Sequence, residues 1–544
     1  MRIVRFIGGL LAGLVALVLA AALFVYWFDF ATTSAAAAGG GAVAYVFLWL
    51  AFGANLLWWS AIGVLRLGEG SVRAAVGRGS RPRRREVTGG PERERVLVLA
   101  GAAESGGEVT AGHAATAGTA VDTVERPVAE AAGAESGGVP GGDASGGLRL
   151  RDHDTVARDG SEGSDEPRDV SIAVIIPAHN EEPVIAGAIE SALRLFDRWD
   201  VYVVSDSSKD STAEIAARTG VNVLELLTNR GKAGALEAVI EEFALTDNYD
   251  GVLILDADTE LDAGYVEGAK RQLRDPDVAA VAGFVVSEWK PRERTFAGRL
   301  ISAYRDRLYF TLQYFMRFGQ TWRRSSTAFI VPGFASVYRS SALREIEVNP
   351  KGLVIEDFNM TFELQRKRLG RISMRPDTRA YSQDPFTLRD YSKQVGRWTL
   401  GFWQTIRRHG VWPSAFWLFL APYLLEVVLV SAMLLATSAL GLFVLVGAVG
   451  GEPVQSIPYY GEGVTAVTAF LPPTALLVGL FVPDYALTCV MAMVRRRPSY
   501  LLYGLFFLPM RLIDAYLSLR MIPRAWTASS DGRWRSPVRV SNRT

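Results

Sequence analysis

The stretch "LDADTEL", residues 255–261, ends an apolar run in two aspartates one residue apart, Asp256 and Asp258. Two carboxylates at that spacing, where an extended segment turns, can both reach one cation or its water shell. Hard oxygen ligands suit Mg2+ or Mn2+, which bind through one or two carboxylates and leave the rest of the shell to water and substrate phosphate. A diphosphate is therefore the natural third partner. An Asp-x-Asp triplet is also what a solvated turn looks like, so the surrounding residues have to decide. Other metal and nucleotide chemistries find little support. The single cysteine, Cys489, excludes an intrachain disulfide framework, and the four histidines are too scattered for a zinc cluster. "NRGKAGAL" has a Gly-Lys pair without the spacing or the Ser/Thr of a phosphate-binding P-loop.

The elements that must position these aspartates are legible from texture. "VSIAVIIPAHNEE", "DVYVVSDSS", "VNVLELL" and "DGVLILDADTE" are short β-branched apolar runs, the pattern of strands buried on both faces. Helical segments such as "PVIAGAIESALRLF" and "KAGALEAVIEEFAL" separate them. This alternation predicts a parallel, doubly wound α/β sheet with its ligand beyond the carboxyl ends of the strands. His179, Asn180, Glu181, Asp206, Asn229, Arg230, Lys232, Asp256 and Asp258 all fall at that edge. In "PAHNEE" a turn-forming role suits His179.

The flanks are of another kind. A chain of 544 residues with mean hydropathy +0.16 and 21% charged residues combines membrane segments with a substantial soluble part. Its formal net charge of +1 gives no whole-chain signal for nucleic acid. Ile7–Phe28 and Ala42–Leu65 are long enough to span a bilayer, and the basic flanks at Arg2, Arg5 and "RGSRPRRRE" predict a hairpin with both ends cytosolic. A cleaved signal peptide is the other reading of the first run. We expect an N-terminal transmembrane hairpin at 1–67, a disordered cytosolic linker at 68–168, and an α/β domain at 169–388. Interfacial amphipathic helices at 389–413, a C-terminal transmembrane region at 414–522 and a basic cytosolic tail at 523–544 complete the chain. Ala415–Val449 and Val464–Val494 should span. Tyr500–Ile522, interrupted by Pro509, Arg511 and Asp514, is either a re-entrant or surface hairpin or a fifth span. Glu426 and Asp484, inside apolar runs, could line a path for an exported product or simply lie near the interfaces.

Four stretches in order, "VIIPAHNEE" with "VVSDSSKDST", "LDADTEL", "VIEDFNMTFEL" and "QVGRW", resemble the membrane-embedded processive members of glycosyltransferase family 2, such as cellulose, chitin, hyaluronan and poly-N-acetylglucosamine synthases. The resemblance runs from about Val170 to Trp412. It implies a GT-A nucleotide-diphosphosugar domain, a Rossmann-like fold embedded between transmembrane helices. It also implies that Pro177, Ala178, Asn180, Glu181 and Asp206 line the uridine pocket, with Lys232 near the nucleotide. Asp256 and Asp258 would hold Mg2+ or Mn2+ on the diphosphate. Asp357 would be the base that removes the acceptor proton, its acidity tuned by the adjacent Glu356. Gln394, Arg397 and Trp398 would cover the diphosphate and stack against the acceptor sugar. The chain departs from the family where an Asp-Asp-Gly-Ser run is usual and Ser205, Asp206, Ser207 and Ser208 stand instead. "PGFAS", residues 332–336, occupies the position of a small-residue loop at the acceptor site.

The function this implies is an inverting, metal-dependent glycosyltransferase in the plasma membrane, with a cytosolic catalytic domain. It would extend a β-linked polysaccharide from a nucleotide sugar, with the bilayer, a glycan acceptor and an accessory export or regulatory subunit as partners, and no nucleic acid. One rival is transfer of a single sugar to a lipid carrier. Another is a transporter or scaffold whose α/β domain only binds nucleotide.

Overall fold

The structure is a computed structural model that describes residues 53–77, 169–470, 480–530 and 532, with isolated positions between 15 and 33. More than half of the expected first span, most of the expected linker and the basic run at Arg78–Arg85 lie outside the described residues. The first long helix, α1 (Ala54–Gly77), begins inside the expected second span and runs past residue 68, the expected start of the linker.

The α/β half is a seven-stranded sheet of order β3-β2-β1-β4-β8-β6-β9, with a three-stranded sheet β5-β10-β7 beside it. The strands are β1 (Ile172–Ala178), β2 (Val201–Asp206), β3 (Asn222–Leu226), β4 (Gly251–Leu255), β5 (Thr259–Leu261), β6 (Val278–Val281), β7 (Phe284–Ser287), β8 (Ala335–Arg339), β9 (Arg371–Ser373) and β10 (Arg379–Ser382). β1, β2, β3 and β4 pair in parallel as the sequence predicts, whereas β8 runs antiparallel to both β4 and β6. The all-parallel expectation is thus corrected to a mixed sheet. An apolar run records burial on both faces but not strand direction, so this reversal leaves no mark on the pattern.

β1 shows why its residues form a central strand. Ala173 and Ile175 point into one core with Ala235, Leu236 and Val239 of α4 (Gly231–Glu242), while Val174 and Ile176 point into the other. There they meet Ile185 and Ile189 of α2 (Ile185–Leu193), Ala216 of α3 (Thr212–Arg218) and Tyr265 of α5 (Tyr265–Leu273). Each fully buried Val or Ile contributes about 1.5–3 kcal/mol, so both faces hold the strand in register.

Three further helices frame the site. α6 (Phe296–Phe310) continues without a break into a π-helical segment, Thr311–Arg317. α7 (Glu356–Lys367) begins with two acidic residues, and α8 (Leu388–His409) starts at Thr387, whose hydroxyl accepts from Asp390 N. α9 (Ala415–Gln455) has a kink at Gly451 and is the one described helix long and apolar enough to cross a membrane. α10 (Tyr460–Phe470) and α11 (Val482–Val494) fall within or beside the expected fourth span, with 471–479 outside the described residues. α12 (Phe507–Thr527) packs along both α8 and α9 through Leu517, Met521 and Ala525.

The charged residues that interrupt the apolar runs have partners. Asp514 of α12 accepts from Tyr304 and Tyr391 hydroxyls at 2.8 and 2.7 Å. Asp484 pairs with Arg307 at 2.7 Å and Arg511 at 3.1 Å, and Glu426 accepts from Asn55 N at 2.9 Å at the start of α1. Asp306, fully buried on α6, takes Arg495, Arg497 and the Tyr500 hydroxyl. α1 is gripped by the α/β half as well: Arg66 donates to Thr321 Oγ1 at 3.0 Å, and Trp322 Nε1 donates to Glu69 at 2.7 Å.

Candidate active site

β4 delivers Asp256 to the sheet edge, where its N–H donates to Phe334 O at 2.8 Å. Ala257 turns inward and is buried, leaving Asp256 and Asp258 half-buried on either side of it. Lys232, in the first turn of α4, lies between two carboxylates: its Nζ is 2.7 Å from Asp256 Oδ1 and 2.9 Å from Glu356 Oε1, and it donates to Gly333 O at 3.0 Å. A lone buried ammonium would lose its proton; between two anions it is held well above the usual lysine range. Burial pushes the Asp256 carboxyl up, against the pull of Lys232. Burial acts the same way on Glu356, but Lys232 outweighs it and the carboxyl ends below its usual value.

Asp357 is the next residue on α7. Its carboxylate accepts from Phe358 N at 2.7 Å and Gly333 N at 3.2 Å. Burial first, and the Glu356 charge second, push it up to about 7. A carboxyl so placed exchanges a proton near neutrality, the property a general base needs.

α8 closes the site. Gln394 Oε1 accepts from Arg305 Nη1 at 2.5 Å, and the Arg305 guanidinium lies 4.8 Å from the centre of the Trp398 ring. Arg305 is itself buried and pairs with Asp384 at 3.2 Å, whose carboxyl burial pushes up to about 6. One face of Trp398 is thereby covered by a cation. The Arg397 side chain makes no hydrogen bond or ion pair among the described residues.

These groups share a cavity of about 1390 Å³. Pro177, Glu181, Lys232, Asp256, Asp258, Glu356, Asp357, Gln394, Arg397 and Trp398 all line it. Ala178, Asn180 and Asp206 do not. Asp206 is fully buried and accepts from Arg230 N at 2.7 Å and Gly231 N at 2.8 Å, which anchors the start of α4. Asn180, at a positive φ of 53°, accepts from Lys209 N at 2.8 Å and ties two loops together. His179 Nδ1 meets Asp206 O at 2.6 Å, in keeping with a turn-forming role. Glu426 and Asp484 are not among the lining residues.

Sequence reading missed three contributors. Arg305, Tyr309 and Arg317 come from α6 and its π-helical extension; their only sequence signal is arginine inside a strongly aromatic run, "AYRDRLYFTLQYFMR". Ser529, Ser530 and Gly532, expected in a cytosolic tail, line the same cavity, and Ser530 N donates to Gly352 O at 3.3 Å. Gly532 O lies so close to Gly231, itself at φ +75°, that any side chain there would collide with it. Tyr423 and Val427 of α9 extend the lining onto the apolar helix.

Comparison with known proteins agrees with this architecture. Residues 173–346 match the family described as Glycosyl transferase family 2. The poly-beta-1,6-N-acetyl-D-glucosamine synthase of Staphylococcus aureus strain COL is 27% identical over 249 residues, 44% of this chain and 56% of that protein. The Staphylococcus epidermidis protein of the same name is 26% identical over 256 residues, 43% and 57% of the two chains. The matches thus span little more than half the length of these curated relatives. Among solved structures, the mannosyltransferase PcManGT from Pyrobaculum calidifontis in complex with GDP-Man and Mn2+ is 18% identical, with a TM-score of 0.37, over 59% of this chain and 89% of that one. Residues 173–346 form a family 2 glycosyltransferase domain, and the chain is homologous to poly-β-1,6-N-acetyl-D-glucosamine synthases.

Proposed function

We propose that the protein is an inverting, membrane-bound glycosyltransferase that moves sugar from a nucleotide sugar, a UDP-sugar, onto a growing β-linked polysaccharide at the cytosolic face. The observation that carries this reading is one cavity joining Asp256 and Asp258, Asp357, and the Gln394, Arg397 and Trp398 trio, and running on to Tyr423 and Val427 of an apolar 41-residue helix. A donor lies at one end, an acceptor beside Asp357, and the product leaves along α9 through a multi-pass plasma-membrane region. The bilayer, donor and glycan are the partners, with an accessory export or regulatory subunit added for release.

Asp256 and Asp258 are the residues that would hold a divalent cation. Among the described residues no cluster of three or more metal-ligating side chains exists, so a permanently bound ion does not fit, whereas Mg2+ or Mn2+ completed by a diphosphate does. When bound, such an ion neutralises charge on the leaving diphosphate. Lys232 holds Asp256 Oδ1, so Oδ2 would be the oxygen of that residue available to such an ion. Asp357 takes the acceptor hydroxyl proton as that oxygen bonds to C1 of the sugar and the bond from C1 to the diphosphate oxygen breaks. Attack from the face opposite the leaving group inverts the configuration. Arg397 supplies a guanidinium for the departing charge, and Trp398 offers its uncovered face to the acceptor ring.

The test is turnover by the purified chain with a panel of UDP-sugars. Chelation should abolish it and Mg2+ or Mn2+ restore it; transfer that persists under exhaustive chelation would remove the metal from the mechanism. Product length by mass spectrometry separates polymer growth from single transfer to a lipid.

A further inference from the structure

Arg317 ends the π-helical segment that continues α6, and π-helical turns cluster at functional positions because they redirect a side chain without ending the helix. It lines the same cavity as Asp357, within electrostatic reach of Asp357 and of the Tyr423 hydroxyl. Its guanidinium makes no hydrogen bond and no ion pair among the described residues. Two more deeply buried arginines on the same helix differ: Arg305 pairs with Asp384 at 3.2 Å and Arg307 with Asp484 at 2.7 Å. No hydrogen bond or ion pair joins it to Asp357, whose carboxylate accepts from Gly333 N and Phe358 N. A half-buried guanidinium that no carboxylate contacts keeps its donors for an anion that arrives with the ligand.

The surroundings say what kind of anion. Leu312, Met316, Phe329, Tyr423 and Val427 line this end of the cavity, and the last two belong to α9. One cation at the rim of an apolar wall on a membrane-crossing helix matches an amphiphile with an anionic head. We infer that Arg317 forms an anion subsite at the acceptor end of the cavity, which takes the phosphate headgroup of an amphiphilic acceptor and holds it beside Asp357. This rests on the glycosyl-transfer reading and names the chemistry of the first acceptor, on which growth begins.

The full chain, purified in dodecyl maltoside and saturated with UDP and Mg2+ to fill the donor end, is titrated with dodecyl phosphate, dodecanol and inorganic phosphate. Dodecyl phosphate should bind at least tenfold more tightly than either of the others. Arg317→Met should lose at least tenfold in that affinity, and Arg317→Lys less. Removing this unpaired charge should leave the thermal midpoint of the ligand-free protein unchanged or raised. Equal binding of dodecanol would overturn the subsite, equal binding of inorganic phosphate would overturn the amphiphile, and a lowered thermal midpoint in Arg317→Met would make the arginine structural. If no UDP-sugar is turned over by the wild type with any acceptor, the functional reading fails instead.

Discussion

Asp357 sits among neighbours that set when it can take a proton. Its ordinary value of 3.8 is raised to about 7 by burial and by Glu356. A base acts only when ionised, so kcat/KM should be full above about pH 7 and fall as pH drops through it, by roughly tenfold per unit. An acidic limb near pH 4 in the pH profile would contradict this. Asp357→Asn should lower kcat by about 10²–10⁴-fold while UDP binding, followed by calorimetry, is retained. Lys232 has the opposite task of holding two carboxylates at once. Lys232→Met leaves Asp256 and Glu356 facing each other uncompensated, and because the group is partly exposed the cost should be about 2–4 kcal/mol, read from denaturant unfolding. Mg2+ should recover more stability in that variant than in the wild type, since Asp256 is then free to bind it. The aspartate pair was legible because two carboxylates at a strand end need no distant partner to be noticed. Arg305 and Arg317 were not, since their significance depends on residues such as Gln394, Trp398 and Tyr423, each about 90 or more positions away.

At the level of elements, the sequence carried the strands but not all their directions. β1, β2 and β4 alternate their side chains between two cores, and that double burial is what their apolar runs recorded, whereas β3 at the sheet edge is only half-buried. β8, with Ser336 and Arg339 among its five residues, is buried too and pairs the other way. α6 is also tied to the C-terminal helices by buried charge. Asp306 is buried with Arg495, Arg497 and Tyr500, so Asp306→Ala should strand two cations and cost about 3–5 kcal/mol, seen as a lower thermal midpoint. A change of less than about 1 kcal/mol would mean the clamp is not holding α6 in place. Arg495 and Arg497 thus grip a helix of the catalytic half from the C-terminal side of the chain.

For the whole molecule, the membrane arrangement is the broadest expectation. α9 alone passes as a membrane-crossing helix among the described residues, and the positive-inside rule places its far end, near Tyr459, outside and Arg495–Arg497 inside. With Cys489 replaced by Ser, Tyr459→Cys should be labelled by an impermeant maleimide on intact cells, and Arg496→Cys only after permeabilisation. The reverse pattern would invert the topology and put the nucleotide site on the wrong side of the bilayer. Domain texture was readable because greasy and mixed segments differ in composition. The cavity was not, because it is assembled from remote stretches: the sheet edge, α6, α7 with the loop before it, α8 with α9, and Ser529, Ser530 and Gly532.

The ion pairs that join Asp306 and Arg307 to residues 484–497 have a consequence for biogenesis. A ribosome releases α6 almost two hundred codons before its counter-charges, so the nascent catalytic half must wait, with an aspartate and an arginine still hydrated, until the last helices emerge. Maturation of the enzyme is therefore tied to completion of translation, and a chain halted before residue 484 carries every motif of its chemistry without the means to settle them into place.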